Sequence, residues 1–309
     1  MMRSLAALIV ANPFQAVLAI ALCAALSVVA PPLTSILGYA AAAALGLYVL
    51  HVGSGPGAVV LLGAALATGL LAEVVWHQGL AVIVTSLLLW IPVWLAAVVL
   101  RGSGSLAFAM LVLTALAFVA VMVVFALLGD PGQWWEERLG SLVEAMTSKP
   151  EPAIDKAALM QFVETVAPVM TGAMAAGLSF AAVTCVILGR WWQSLLVKPG
   201  ALQQEFYALR LNRSLSLLGI GIVALATLDL GVISSVALQW SLIAMVPFLF
   251  VGLAVAHATL ANLQAAKAWL IGLYVLIGLL PQALVMVILV GVLDPWLELR
   301  RKTAKTGTN

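Results

Sequence analysis

Long apolar runs, broken at intervals by Gly, Pro and charge, dominate the chain from residue 14 to residue 293. A bilayer core asks for about 20 apolar residues per helix, and only helices and closed barrels satisfy their backbone internally in lipid. On that measure the chain holds nine candidate spans. The first covers residues 14–30 and stops at Pro31-Pro32, the second covers 33–50 and the third 58–75. The fourth, 79–100, carries Pro92 as an expected kink, and the fifth, 105–128, is uninterrupted. The sixth is 166–189, the seventh 214–234, the eighth 236–258 with Pro247 inside, and the ninth 269–293, interrupted by Pro281. The expected fold is an all-α polytopic transmembrane helical bundle of eight or nine spans, because a short or Pro-broken run can also be re-entrant. Residues 1–309 read as a single integral membrane domain. Arg3 and the first apolar run resemble a signal peptide only superficially. The run is long and leads straight into another span, so a retained helix is expected.

Composition sharpens this reading. Apolar residues make up 64% of the 309 and charged residues 8%, and the mean hydropathy is +1.18. Soluble domains carry about 25% charged residues, so a water-facing surface of this size could not be covered. The net charge of +2 gives no electrostatic case for a nucleic-acid partner. Cys23 and Cys185 fall inside apolar runs and read as free thiols rather than a disulfide.

Charge also suggests an orientation. Arg3 precedes the first span, Arg101 follows the fourth, and the connection 190–213 carries Arg190, Lys198, Arg210 and Arg213 against Glu205. Single crossings place these three regions on one side, which the positive-inside rule makes cytoplasmic. That puts the N-terminus inside and suits a bacterial inner membrane. The connection 130–165 lies opposite, with seven acids against Arg138, Lys149 and Lys156. The tail conflicts with this scheme: nine crossings would put Arg300, Arg301, Lys302 and Lys305 outside. Either one late segment does not cross, or the rule fails there.

Two connections are more than turns. In 133–148, Trp135, Leu139, Leu142, Val143 and Met146 recur at helical spacing, which predicts an amphipathic interfacial helix between spans five and six. It either lies on the bilayer or covers an extracytoplasmic pocket. The basic connection 190–213 mixes Arg190, Trp191, Trp192, Arg210 and Arg213 with Phe206 and Tyr207 around Pro199-Gly200. It reads as a surface helix in contact with anionic membrane lipid, or as a docking surface for a membrane or cytoplasmic protein partner.

This connection, GRWWQSLLVKPGALQQEFYALRLNRSL over 189–215, resembles the corresponding loop of the YybS-like bacterial membrane proteins, which form a domain of unknown function. LLLWIPVWLAAVVLRGSGSLAFAM (87–110), VGLAVAHA (251–258) and GVLDPWLELRRK (291–302) fit the same pattern, although Pro295 departs from the aromatic run common after the tail Asp. The family is regarded as distantly similar to the substrate-binding subunits of energy-coupling-factor transporters and to the rod-shape protein MreD. The resemblance implies a related helical bundle and carries over no binding residue.

Chemistry leaves few marks. There is no HExxH, no Cys/His cluster at metal spacing, no Walker-type loop and no GxSxG elbow, so no cofactor, metal or catalytic residue is expected. GSGPG at 53–57 and GSG at 102–104 read as inter-helix turns, and His51 as an interfacial residue. Ionisable groups within or bordering spans are costly and mark candidate sites. Glu73 and His77, four residues apart, would pair on a continuing helix. Asp229 lies near the end of the seventh span, and His257 with Asn262 at the end of the eighth. These five are the candidate polar lining for a small-molecule solute. Small residues at Ala173, Gly177 and Ala181, and at Gly252 and Ala256, fall on stripes suited to close helix packing. The sequence leaves two function classes: a small-solute binding or transport component, and a non-catalytic scaffold. A membrane enzyme trails both.

Overall fold

The apolar runs fold as helices in the computed structural model, which describes residues 2–28, 34–147, 155–300 and 303, with no strand among them. In chain order the helices are α1 (Met2–Ala11), α2 (Pro13–Ser27), α3 (Ile36–His51), α4 (Ser54–Trp76), α5 (Gly79–Ser103), α6 (Leu106–Leu128) and α7 (Pro131–Thr147). They continue with α8 (Lys156–Val166), a 3-10 turn (Ala167–Val169), α9 (Met170–Val197), α10 (Ala201–Tyr207), α11 (Arg213–Ala226), α12 (Val232–Asn262), α13 (Ala268–Leu279) and α14 (Pro281–Leu297). Asn12, Ser105 and Asn212 cap α2, α6 and α11 with their side-chain oxygens, satisfying amides that the helix itself leaves open.

Among the described residues, five segments are long and apolar enough to cross a bilayer: α4, α5, α6, Lys156–Val197 and α12. The pair α13–α14 passes the same test together but bends by 117° at its break, so the total is at most six. By length, therefore, the eight or nine spans expected from hydropathy are not all full-length helices. Helices α2, α3 and α11 have 15, 16 and 14 residues, or about 21–24 Å at 1.5 Å per residue. Helix α9 does the reverse: it runs eight residues beyond the expected span end, so Arg190, Trp191 and Trp192 continue the span's own helix rather than belonging to a separate surface helix.

Helix α3 is the centre of the bundle. Residues 41–50 are all buried, because α2, α5 and α9 pack around it. Their apolar character around the whole circumference follows from that position. Small residues allow the close approaches. Gly189 lies against the backbone of Ala43 and Leu47, Gly172 against Gln239, and Gly252 and Gly291 against the carbonyls of Val287 and Phe248. The stripe expected at Ala173, Gly177 and Ala181 does not act this way. Ala173 and Gly177 are exposed, and a side chain at Gly177 would meet open space.

Contacts between helices fix their directions. Cys185 meets Tyr39, Gly189 meets Ala43 and Gln193 donates to the Leu50 carbonyl at 2.8 Å, so α3 and α9 run parallel. Arg101 donates to the same Leu50 carbonyl at 2.6 Å. One end of the bundle thus gathers the C-termini of α3, α5 and α9 with the basic connection 190–213. Gly252 and Gly291 hold α12 and α14 in close contact, and Asn262, at the end of α12, donates to the carbonyl of Arg300, just past the end of α14, so the two helices run parallel. Arg300 then donates to the carbonyls of Tyr207 and Leu209 at 2.7 and 2.9 Å. The tail therefore returns to the basic end, and α13–α14 enters and leaves the bundle on the same side. Arg300 thus shares an end with Arg101 and the connection 190–213, while Arg301, Lys302 and Lys305 of the same tail cluster lie outside the described residues.

Candidate functional site

The sequence-derived candidates separate to opposite ends. Glu73, His77 and Asp229 lie at the end away from the basic connection. Glu73 and His77 do not pair. Helix α4 stops at Trp76 and His77 adopts left-handed backbone at φ 54°, which takes its side chain off the helix register. The Glu73 carboxylate instead accepts the Gly79 amide at 2.8 Å, holding the first turn of α5. Asp229 is not in a helix at all but is exposed in the turn between α11 and α12. The expected amphipathic helix is present as α7, whose Trp135 indole donates to the Thr171 hydroxyl at 2.9 Å. Leu142 and Met146 remain exposed. The Trp135 bond pins α7 to the start of α9, and the two cavities described below take no lining from α7.

His257 and Asn262 lie at the basic end and do different work. Asn262 donates to the Arg300 carbonyl at 3.1 Å and so anchors the tail. His257 Nε2 and the Tyr274 hydroxyl are hydrogen-bonded at 2.9 Å, joining α12 to α13, and the Phe206 ring stands edge-on to the imidazole at 5.8 Å. These groups border a cavity of about 570 Å³, within the roughly 300–1,000 Å³ usual for ligand pockets. Trp191, Phe206, Tyr207 and Phe250 supply aromatic walls; Ser194, Gln203, His257 and Tyr274 supply hydrogen-bonding groups. No Asp, Glu, Lys or Arg is among the residues lining it.

The arginines of the basic connection are largely engaged within the protein. Arg190 forms an ion pair with Glu205 and a hydrogen bond with Gln193, tying α9 to α10. Arg213 donates to the Pro295 carbonyl at 3.2 Å, while Arg210 is exposed. Trp192 packs against the core cluster and does not line the cavity that Trp191 borders.

Sequence reasoning missed three polar features. Asp294 and Arg300 form a buried ion pair, legible only as an acid and a base six residues apart in the tail. Gln239 bridges the Pro168 carbonyl and the Gly172 amide, and a lone Gln within an apolar run was its one signal. Tyr274 looked like an ordinary aromatic of the ninth span. Among the described residues no group of three or more His, Cys, Asp or Glu could hold a metal ion.

Comparison with known proteins returns no match to a family model, to a curated protein or to a solved structure.

Proposed function

We propose that the protein is a small-solute binding or transport component of a bacterial inner membrane. In this reading α2, α3, α4, α5, α6, α9, α11 and α12 make eight crossings, and α13–α14 is a re-entrant pair. The basic end is cytoplasmic, and so are both termini. The single observation that carries the function is the 570 Å³ cavity between α9, α10, α12 and α13. Its aromatic walls and converging hydrogen-bonding groups form the pattern expected of a ligand pocket. With no carboxylate or arginine in its lining, the cavity suits an uncharged solute, because a charge taken from water there would meet no counter-ion. The distant kinship implied by the sequence motifs agrees with this class. The docking alternative has less support, since Arg190 and Arg213 already bind protein groups.

Native mass spectrometry of protein extracted gently from its own membrane tests the proposal. A small-molecule adduct is expected, and its occupancy should fall about ten-fold in Trp191→Ala and Gln203→Leu. An adduct indifferent to both substitutions, or a stoichiometric protein partner in place of any adduct, would reject it.

A further inference from the structure

A second cavity, of about 800 Å³, lies between α12, α13 and α14. Val255, Leu260, Leu273, Leu276, Met286 and Val290 give it apolar walls. It exists because α13 bends away from α14 at Leu280 and leans out from the bundle, with no buried residue of its own. Tyr274 ties α13 to α12 through His257, and the cavity fills the angle left behind.

The two ends of this crevice differ. Its deep end, at Ala283 and Met286, is apolar. Its other end, at Thr259, Ala268 and Leu299, reaches the basic end of the bundle. There the Thr259 hydroxyl oxygen is covered yet has no hydrogen-bond partner among the described residues. A covered hydroxyl left unpaired is unfavourable, so it calls for an acceptor that the protein does not provide. Lys267, exposed, stands immediately before the lining residues Ala268 and Trp269, and Trp269 is itself 68% exposed. A Trp beside a Lys at a helix start is an arrangement suited to the headgroup level of a membrane.

We infer that the crevice holds one acyl chain of an anionic phospholipid, with its ester carbonyl at the Thr259 hydroxyl and its phosphate at Lys267. Lipid gains nothing hydrophobically by leaving bulk bilayer for an apolar wall. Retention therefore comes from packing in the crevice, the hydrogen bond and the charge, and these three meet at one place only if the headgroup is at the basic end. The site is separate from the aromatic cavity, and either can fail without the other.

The test places the full-length protein in nanodiscs of equal parts phosphatidylglycerol and phosphatidylcholine, then strips weakly held lipid by collisional activation in native mass spectrometry. One phosphatidylglycerol per chain should remain. Ala256→Phe and Met286→Trp, which fill the crevice from two walls, should lose it. Met286 is 63% exposed, so its replacement disturbs little packing and its result stands whether or not Ala256→Phe folds. Thr259→Val should lower retention about five-fold, and Lys267→Gln should lower the preference for phosphatidylglycerol about five-fold. Equal retention of both lipids by the unaltered protein overturns the inference. So does a retained lipid that survives both crevice-filling substitutions, or the absence of any retained lipid.

Discussion

Arg300 and Asp294 are each only 5% exposed, and their ion pair is completed by the Tyr207 and Leu209 carbonyls. Removing one partner leaves the other charge enclosed and uncompensated, which is a heavier loss than the pair's own attraction. Arg300→Ala is therefore expected to lower stability by about 3–5 kcal/mol, measured by unfolding in mixed micelles. The double change Asp294→Leu with Arg300→Met should recover most of that loss. If the double variant is as unstable as the single one, the account of the pair is wrong. Gln239 offers a milder case. Gln239→Leu strands the Gly172 amide and the Pro168 carbonyl and should cost about 1–3 kcal/mol in the same assay. At this scale the sequence was legible in part. His257 stood out as an ionisable group at a span end. Phe206, a ring neighbour, stood out only as an aromatic of the basic connection, and Tyr274, the other, did not, because an aromatic in an apolar run reads the same whether it faces lipid, core or cavity.

At the scale of elements, the glycines of α12 and α14 separate necessary contacts from merely abundant small residues. A Cβ at Gly291 would lie 1.9 Å from the Phe248 carbonyl oxygen, whereas one at Gly177 would meet nothing within 4 Å. Gly291→Leu should force α14 off α12 and lower the yield of folded protein severalfold, while Gly177→Leu should be tolerated. Size-exclusion profiles of the two variants check this. The sequence supported a stripe through Gly177 and could not separate it from Gly252, since both sit at intervals of four. Only the partner's backbone decides. The long spans were legible because twenty apolar residues without charge have few alternatives. The break at Pro281 was legible as well. Its consequence was not, because hydropathy records how deeply a segment sits and says nothing of the direction in which it leaves.

For the whole molecule, direction is what the helix contacts add. Single-cysteine variants on a background lacking Cys23 and Cys185 test the arrangement with a membrane-impermeant maleimide. Glu137→Cys, on α7, should label in intact spheroplasts. Lys198→Cys and Lys267→Cys should label together, and only after permeabilisation. Labelling of Lys267→Cys from the outside would mean that α12 and the basic connection do not share a face, and would sink the re-entrant assignment.

The central position of α3 has a consequence for how the protein is made. Tyr39 and its neighbour Cys185 are 146 residues apart in sequence. At synthesis rates of about 5–20 residues per second, the ribosome delivers α9 on the order of ten seconds after α3. During that interval the flank that will receive α9 has only lipid, or an insertion factor, to face. Ala41 to Leu50 are tolerable in that company because none carries a charge. The polar ties to α3, from Arg101 and Gln193, reach only its last carbonyls, at the Val49–Leu50 end. A charged residue midway along α3 should thus betray itself first in nascent chains, as failed membrane insertion, before any finished protein could be assayed.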